Sequence, residues 1–165
     1  MRVPIRKPGK FTHLKPDPHL TQEKFDQLTR TFNDLKKSHP EAAREVRRLA
    51  ELGDLSENAA YQIAKGRLRS INQRLIDLED HLRRAVIITP TAGSATVRLG
   101  STVTIEHAGK QITYTLLGSS ETDPKKNIIS HNSPLGAALL GRGVGDTVSV
   151  KLKNSSMLYS IISIG

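Results

Sequence analysis

Apolar residues recur with a strict rhythm through the first half of the chain. Phe25, Leu28, Phe32, Leu35, His39, Ala42, Val46 and Leu49 step alternately by three and four residues. After a short interruption, Tyr61, Ala64, Leu68, Ile71, Leu75, Leu78, Leu82 and Ala85 repeat the pattern. Such spacing puts each set on one helical stripe and predicts the seams of two coiled-coil helices. The break between them, Leu52-Gly53-Asp54-Leu55-Ser56, is long enough only for a tight reversal, so the helices should pack antiparallel. At about 30 residues each, they predict a finger on the order of 45 Å long. Thr21 is placed to cap the first helix, with Lys24 where a capping box would carry Glu. Pro40 removes one helical hydrogen bond and is expected to bend the helix. His39, on the seam beside it, has no second ligand at metal spacing on that face and reads as a partly buried histidine.

From residue 86 the period changes. Val86-Ile87-Ile88 is a short apolar run, and residues 90–94 read as a loop. Strands are predicted at Val97–Glu106, Gln111–Leu117, Asn127–Ser130, Thr147–Leu152 and Met157–Ile164, separated by Gly, Asn and Asp signals. Ser133 as cap, Pro134 at the first helical position and Gly141 after the last predict one short helix. The expected fold class is α+β: an N-terminal antiparallel coiled-coil hairpin, then an antiparallel sheet with one short helix. The expected division is a tail (1–20), the hairpin (21–85, acidic tip at 53–58), a strand or linker (86–96) and a β-rich domain (97–165). The tail carries Pro4, Pro8, Pro16 and Pro18 among basic residues, which suits a disordered solubilising arm or a basic arm that touches nucleic acid or an acidic partner.

Charge sharpens the division. Of 165 residues, those at 1–85 include 18 Lys+Arg and 12 Asp+Glu, and those at 86–165 only 7 and 4. The net charge of +9 points to a polyanionic partner. The absence of cysteine excludes a disulfide framework and a Cys-based zinc site. No apolar run approaches the roughly 20 residues of a membrane span, and no apolar segment follows the basic N-terminus as in a secretory signal. A cytoplasmic location is the expectation.

The tip concentrates the candidate chemistry. Asp54 and Glu57 lie three residues apart at a helix start, so both can project from one side of the reversal. Carboxylates are hard oxygen ligands of the kind Mg²⁺ takes. The same spacing is a capping-box pattern, with Asp54 as cap, and negative charge there also suits the helix dipole. Arg44, Arg47 and Arg48 on the first helix and Lys65, Arg67 and Arg69 on the second form a basic zone near the tip. Read from spacing, it suits a solvated face in which Glu45 pairs with Arg48 and Glu51 with Arg47, with Arg44, Lys65 and Arg69 left over. No Ser/His/Asp triad, phosphate-binding Gly loop or dinucleotide fingerprint occurs.

The stretch Gly53-Asp54-Leu55-Ser56-Glu57-Asn58-Ala59, followed by Tyr61, resembles the tip signature of the GreA/GreB transcript-cleavage factors. Tyr61-Gln62, Lys65, Arg67-Leu68-Arg69 and Ile71 resemble GreB more than GreA. Independently, Asn127-Ile128-Ile129-Ser130, Ser133-Pro134, Ala138-Leu139-Leu140-Gly141 and Val144-Gly145-Asp146 resemble the family's FKBP-like domain, as do Gly118, Glu121 and Asp123 before them. His39-Pro40-Glu41 resembles a Pro-Glu step in the family's first helix. The match spans about residues 21–164.

The resemblance implies a transcription elongation factor whose finger enters the secondary channel of RNA polymerase. Asp54 and Glu57 would help hold the second Mg²⁺ of the polymerase active site and orient the attacking water, so that the polymerase cleaves its own backtracked RNA. The factor itself would be no enzyme and would carry no cofactor when free. Arg44, Arg47, Arg48, Lys65 and Arg69 would contact the nascent RNA 3′ segment. The FKBP-like domain, through Ser133, Pro134, Leu139 and Gly141, would dock on the polymerase; with only Tyr114 and Tyr159 as aromatics, it does not resemble a prolyl isomerase site. A monomer with no membrane partner is expected. Two departures stand out: Ala60 replaces the usual Glu or Asp, and the N-terminal arm is longer than usual. The rivals are a channel-binding inhibitor on the same fold and a coiled-coil nucleic-acid-binding adaptor.

Overall fold

The computed structural model describes residues 16–52, 58–89, 93–152 and 155–165. Strand β1 (His19–Leu20) leads into helix α1 (Gln22–Ala50), and helix α2 (Ala59–Arg84) returns to strand β2 (Val86–Ile87). The seam is where the periodicity put it. Ala42, Leu49, Ala64 and Ile71 are buried, and the other predicted seam residues are half-buried between exposed neighbours. Helix α1 runs through Pro40 without interruption. His39 is half-buried, as its seam position requires.

Thr21 caps α1, its side chain accepting a hydrogen bond from the Lys24 amide at 3.2 Å. A local capping box would need an acid at Lys24 to reach back to the cap. That acid comes instead from the sheet domain: the Thr21 amide donates to Glu121 Oε2 at 2.8 Å, and the Thr21 hydroxyl donates to Oε1.

The second half forms a five-stranded sheet in the order β5-β4-β3-β7-β6. The strands are β3 (Thr102–His107), β4 (Lys110–Leu117), β5 (Ile128–Ser130), β6 (Thr147–Leu152) and β7 (Ser155–Ile164). All pairings are antiparallel except β4–β5. That edge pair is parallel because the chain crosses back through two 3₁₀ turns, Ser119–Glu121 and Pro124–Lys126, instead of a hairpin. Helix α3 (Pro134–Leu139) covers one face, capped by Ser133 as expected. The core comprises Val97, Val103, Ile105, Leu116, Leu139, Val148 and Ile161. Tyr114 and Tyr159 pack against it. Val97 belongs to this core, yet the strand expected from it begins only at Thr102. Gly100 turns the chain at φ +91°, and Val97 instead exchanges backbone hydrogen bonds with Gly141 and Arg142 at 2.8 Å each.

The segment expected to be a tail needs a second correction. Residues 1–15 lie outside the described residues, but residues 16–20 are part of the fold. Leu20 is completely buried, and β1 pairs in parallel with β2, His19 opposite Val86. Pro16 and Pro18 suggested disorder, but a two-residue strand between a hairpin and a sheet needs only one paired edge, which proline permits. Asp17 ties this wedge to both domains. Its carboxylate accepts from the His19 amide (3.1 Å) and the Ser119 amide (2.8 Å), and its carbonyl accepts from His81 Nε2 (3.0 Å). Burial pushes the Asp17 carboxyl up, but hydrogen bonds from Ser119 and His19 outweigh it and hold the group at about 2, below its ordinary 3.8. A Cβ on Gly118 would collide with the His19 carbonyl, so the wedge also needs glycine at that position.

Because the folded pKa of Asp17 is depressed, its stabilisation is complete above pH 3.8 and is lost as pH falls through about 2. Acid unfolding followed by circular dichroism should show this loss between those values, and Asp17→Asn should flatten it. A second substitution tests the packing of α3. A Cβ on Gly136 would strike the Ser130 carbonyl and lie 2.9 Å from Leu116 Cδ1. Gly136→Ala should therefore cost about 1–3 kcal/mol by overpacking, measured by urea unfolding.

Candidate functional site

The free end of the hairpin is bounded by two described caps. On the α1 side, the Glu51 amide bonds to the Arg47 carbonyl at 3.1 Å, and Leu52 beyond it is exposed. On the α2 side, Asn58 is the N-cap, its side chain accepting from the Tyr61 amide at 3.1 Å. Asp54 and Glu57 lie outside the described residues. The cap observed at Asn58 nonetheless corrects the alternative in which Asp54 starts the second helix. An amide side chain makes the same bond to the third helical amide, so Asn58 serves as the N-cap of α2. Ala60, in the first turn of α2, is exposed and adds no charge there.

The basic zone divides by helix face. Arg48 is held bidentately by Glu45, at 3.0 and 2.8 Å, and Arg47 lies 3.4 Å from Glu51. Both pairs are exposed, so they add little stability and leave the guanidinium groups available to a stronger anion. The Glu45 carboxyl is lowered, first by its hydrogen bond with Arg48, and the Arg48 guanidinium is raised by the same bond. Arg44 and Arg48 line one groove together with Arg67 of α2. Lys65 and Arg69 are each two residues from Arg67, about 200° around the helix, and so occupy another face. Lys65 sits 5.6 Å from the centre of the Tyr61 ring, a cation–π distance. The fold thus joins Arg44, Arg48 and Arg67 into one groove and sets Lys65 and Arg69 apart from it. Single-helix charge counting cannot see this, because the groove is shared across the seam.

The candidate docking residues separate in the same way. Ser133 is half-buried and spends its hydroxyl on local structure, accepting from the Gly136 amide (3.0 Å) and donating to the Ser130 carbonyl (2.7 Å). Pro134 is exposed, and Gly141 is exposed at φ +78°. Leu139 is only 1% exposed and belongs to the core, which corrects its assignment as a contact residue. The helical period turns Leu139 inward, and the exposed apolar residues nearby are Leu140 and Val144.

Comparison with known proteins agrees with this architecture part by part. Residues 19–87 match the family model described as "Transcription elongation factor, N-terminal", and residues 92–165 match "Transcription elongation factor, GreA/GreB, C-term". The chain belongs to the GreA/GreB family of transcription elongation factors. It is 36% identical to transcription elongation factor GreA of a Nitratiruptor species, over 88% of this chain and 91% of that one. It is 39% identical to GreA of Thermomicrobium roseum, over 88% and 95%. Among solved structures, it is similar to GreA factor homolog 1 (Gfh1) of Thermus thermophilus, with 28% identity, coverage of 89% and 97%, and a TM-score of 0.41. Among the described residues, no helix is long and apolar enough to cross a membrane.

If Asn58 sets the start of α2 in this GreA/GreB family member, Asn58→Ala should cost about 1 kcal/mol and fray the tip. Hydrogen exchange should accelerate at residues 59–62, while protection at β3 and β7 stays unchanged.

Proposed function

We propose that this factor binds RNA polymerase, inserts its coiled coil into the secondary channel and stimulates Mg²⁺-dependent cleavage of backtracked nascent RNA. The observation that carries the reading is the long α1–α2 hairpin, which places the acidic reversal at its free end. Glu51 ends α1 and Asn58 caps α2, and the carboxylates of Asp54 and Glu57 fall between these two caps in the sequence. Two carboxylates at the reversal of a rod about 45 Å long suit a cavity too deep for a globular surface. Family membership supports the reading.

Asp54 and Glu57 fit Mg²⁺ by the chemistry of their donors, which are hard anionic oxygens. When bound at the polymerase active site, such an ion supplies charge stabilisation for displacement at phosphorus. The role of the two acids is to complete the coordination of that ion and to accept a hydrogen bond from the attacking water. The factor is then not itself an enzyme; it completes the site of another one. The groove of Arg44, Arg48 and Arg67 is suited to the phosphates of the RNA 3′ segment, with Arg47 beside it and Lys65 and Arg69 on the neighbouring face. The exposed residues Pro134, Leu140, Gly141 and Val144 of the sheet domain are suited to docking on the polymerase.

A second reading rests on Ala60, exposed and neutral where these factors usually carry an acid: a channel-binding regulator that does not stimulate cleavage. A stalled, backtracked complex of the cognate polymerase with 3′-labelled RNA separates the two. The wild-type factor should shorten the transcript in a Mg²⁺-dependent manner. The Asp54→Ala, Glu57→Ala variant should bind equally well and lose at least about 10²-fold in rate. Tight binding by the wild type without cleavage would favour the regulator.

A further inference from the structure

We propose that Asp17, His19 and His131 form a binding site for a divalent transition ion of the zinc class at the joint between the finger and the sheet domain. Asp17 and His19 come from the wedge, and His131 follows β5. Asp17 Oδ1 lies 3.0 Å from His19 Nδ1, and Asp17 Oδ2 lies 3.4 Å from His131 Nδ1. The three donor atoms all lie within 4.8 Å of one another. A tetrahedral ion with bonds of about 2.0–2.1 Å needs donors roughly 3.3 Å apart. Two of the three separations are already near that value, and the third lies within 4.8 Å. The two imidazoles already stand edge to face, their centroids 5.3 Å apart.

Two further features favour an ion over a simple hydrogen-bonded staple. His131 Nδ1 is buried and makes no hydrogen bond among the described residues. A buried ring nitrogen left so is costly, and coordination would satisfy it. Asp17, only 5% exposed at its side chain, is oriented by the amides of His19 and Ser119, the outer support that metal-binding carboxylates commonly have. A groove running past Ser119 and Asn132 leaves a path for entry and a fourth position for water. Arg84 also lines it, but its guanidinium is engaged by Asp80 at 3.0 Å, which offsets its charge. Two nitrogens and one carboxylate oxygen suit zinc-class ions better than Mg²⁺ or Ca²⁺, which prefer oxygen donors. The bound ion would join the N-terminal segment to the sheet and so stabilise the joint.

The test uses the full chain after chelator treatment, titrated with Co²⁺ and then Zn²⁺. The expected result is one Co²⁺ per chain with the visible bands of tetrahedral coordination, displaced by Zn²⁺, and a melting temperature that rises with Zn²⁺. His131→Ala and His19→Ala should each weaken binding at least about tenfold, whereas His107→Ala at the opposite end of β3 should not. Histidine ring resonances of the unmodified protein make the test independent of how the variants fold: Zn²⁺ should shift His19 and His131. Absence of saturable binding, or shifts confined to other histidines, would overturn the proposal.

Discussion

Both the amide and the hydroxyl of Thr21 donate to the carboxylate of Glu121, across 100 residues of sequence. This contact does two things at once. It completes the cap of α1, whose own third helical residue is the unsuitable Lys24, and it fixes where the finger leaves the sheet domain. A helix end left with unpaired amides frays, and a finger with a frayed base could not hold its tip in place. The other contacts of the wedge follow from it. Asp17 can reach Ser119 because Glu121, two residues further along the same 3₁₀ turn, is anchored at Thr21, and Gly118 lets the wedge backbone lie directly against that turn.

From this base the finger is built by economical means. Its seam is made of ordinary apolar residues at heptad spacing, and its outer faces are charged. Few side chains in it are fully buried, which accounts for a low apolar content in a protein of this size. What the seam contributes is direction. It carries the tip away from the sheet domain and brings Arg67 of one helix beside Arg44 and Arg48 of the other. Positive charge collects near the tip without a run of basic residues in sequence, because the two helices contribute it from opposite sides of one groove.

The sheet domain shows how the same residues can serve fold or surface according to a single turn of helix. Ser133, Pro134, Leu139 and Gly141 form one short motif, yet Ser133 is consumed by capping and Leu139 by the core. Pro134 and Gly141 remain outside, joined by Leu140 and Val144. A motif read as a string does not say which of its members face a partner. α3 rests on Gly136, whose missing side chain lets the helix sit against the Ser130 carbonyl, and that close approach sets the orientation of the whole motif.

Heptad spacing, turn residues and the Ser133-Pro134 cap determined the hairpin, its seam and the short helix, because each depends on residues within a few positions of one another. The family could be read for the same reason: its signatures are local strings at the tip and around α3. Features made by distant residues needed the tertiary structure. Pro16 and Pro18 suggested a loose arm, and only the meeting of β1 with β2 shows that residues 16–20 are a wedge. Lys24 weakened the cap at Thr21, and only the crossover before β5 brings Glu121 to repair it. Asp17 and His19 lie close together in sequence, but His131 joins them from the end of β5, more than 100 residues away. A local pattern records the conformation a segment prefers; what that segment touches depends on how the whole chain closes around it.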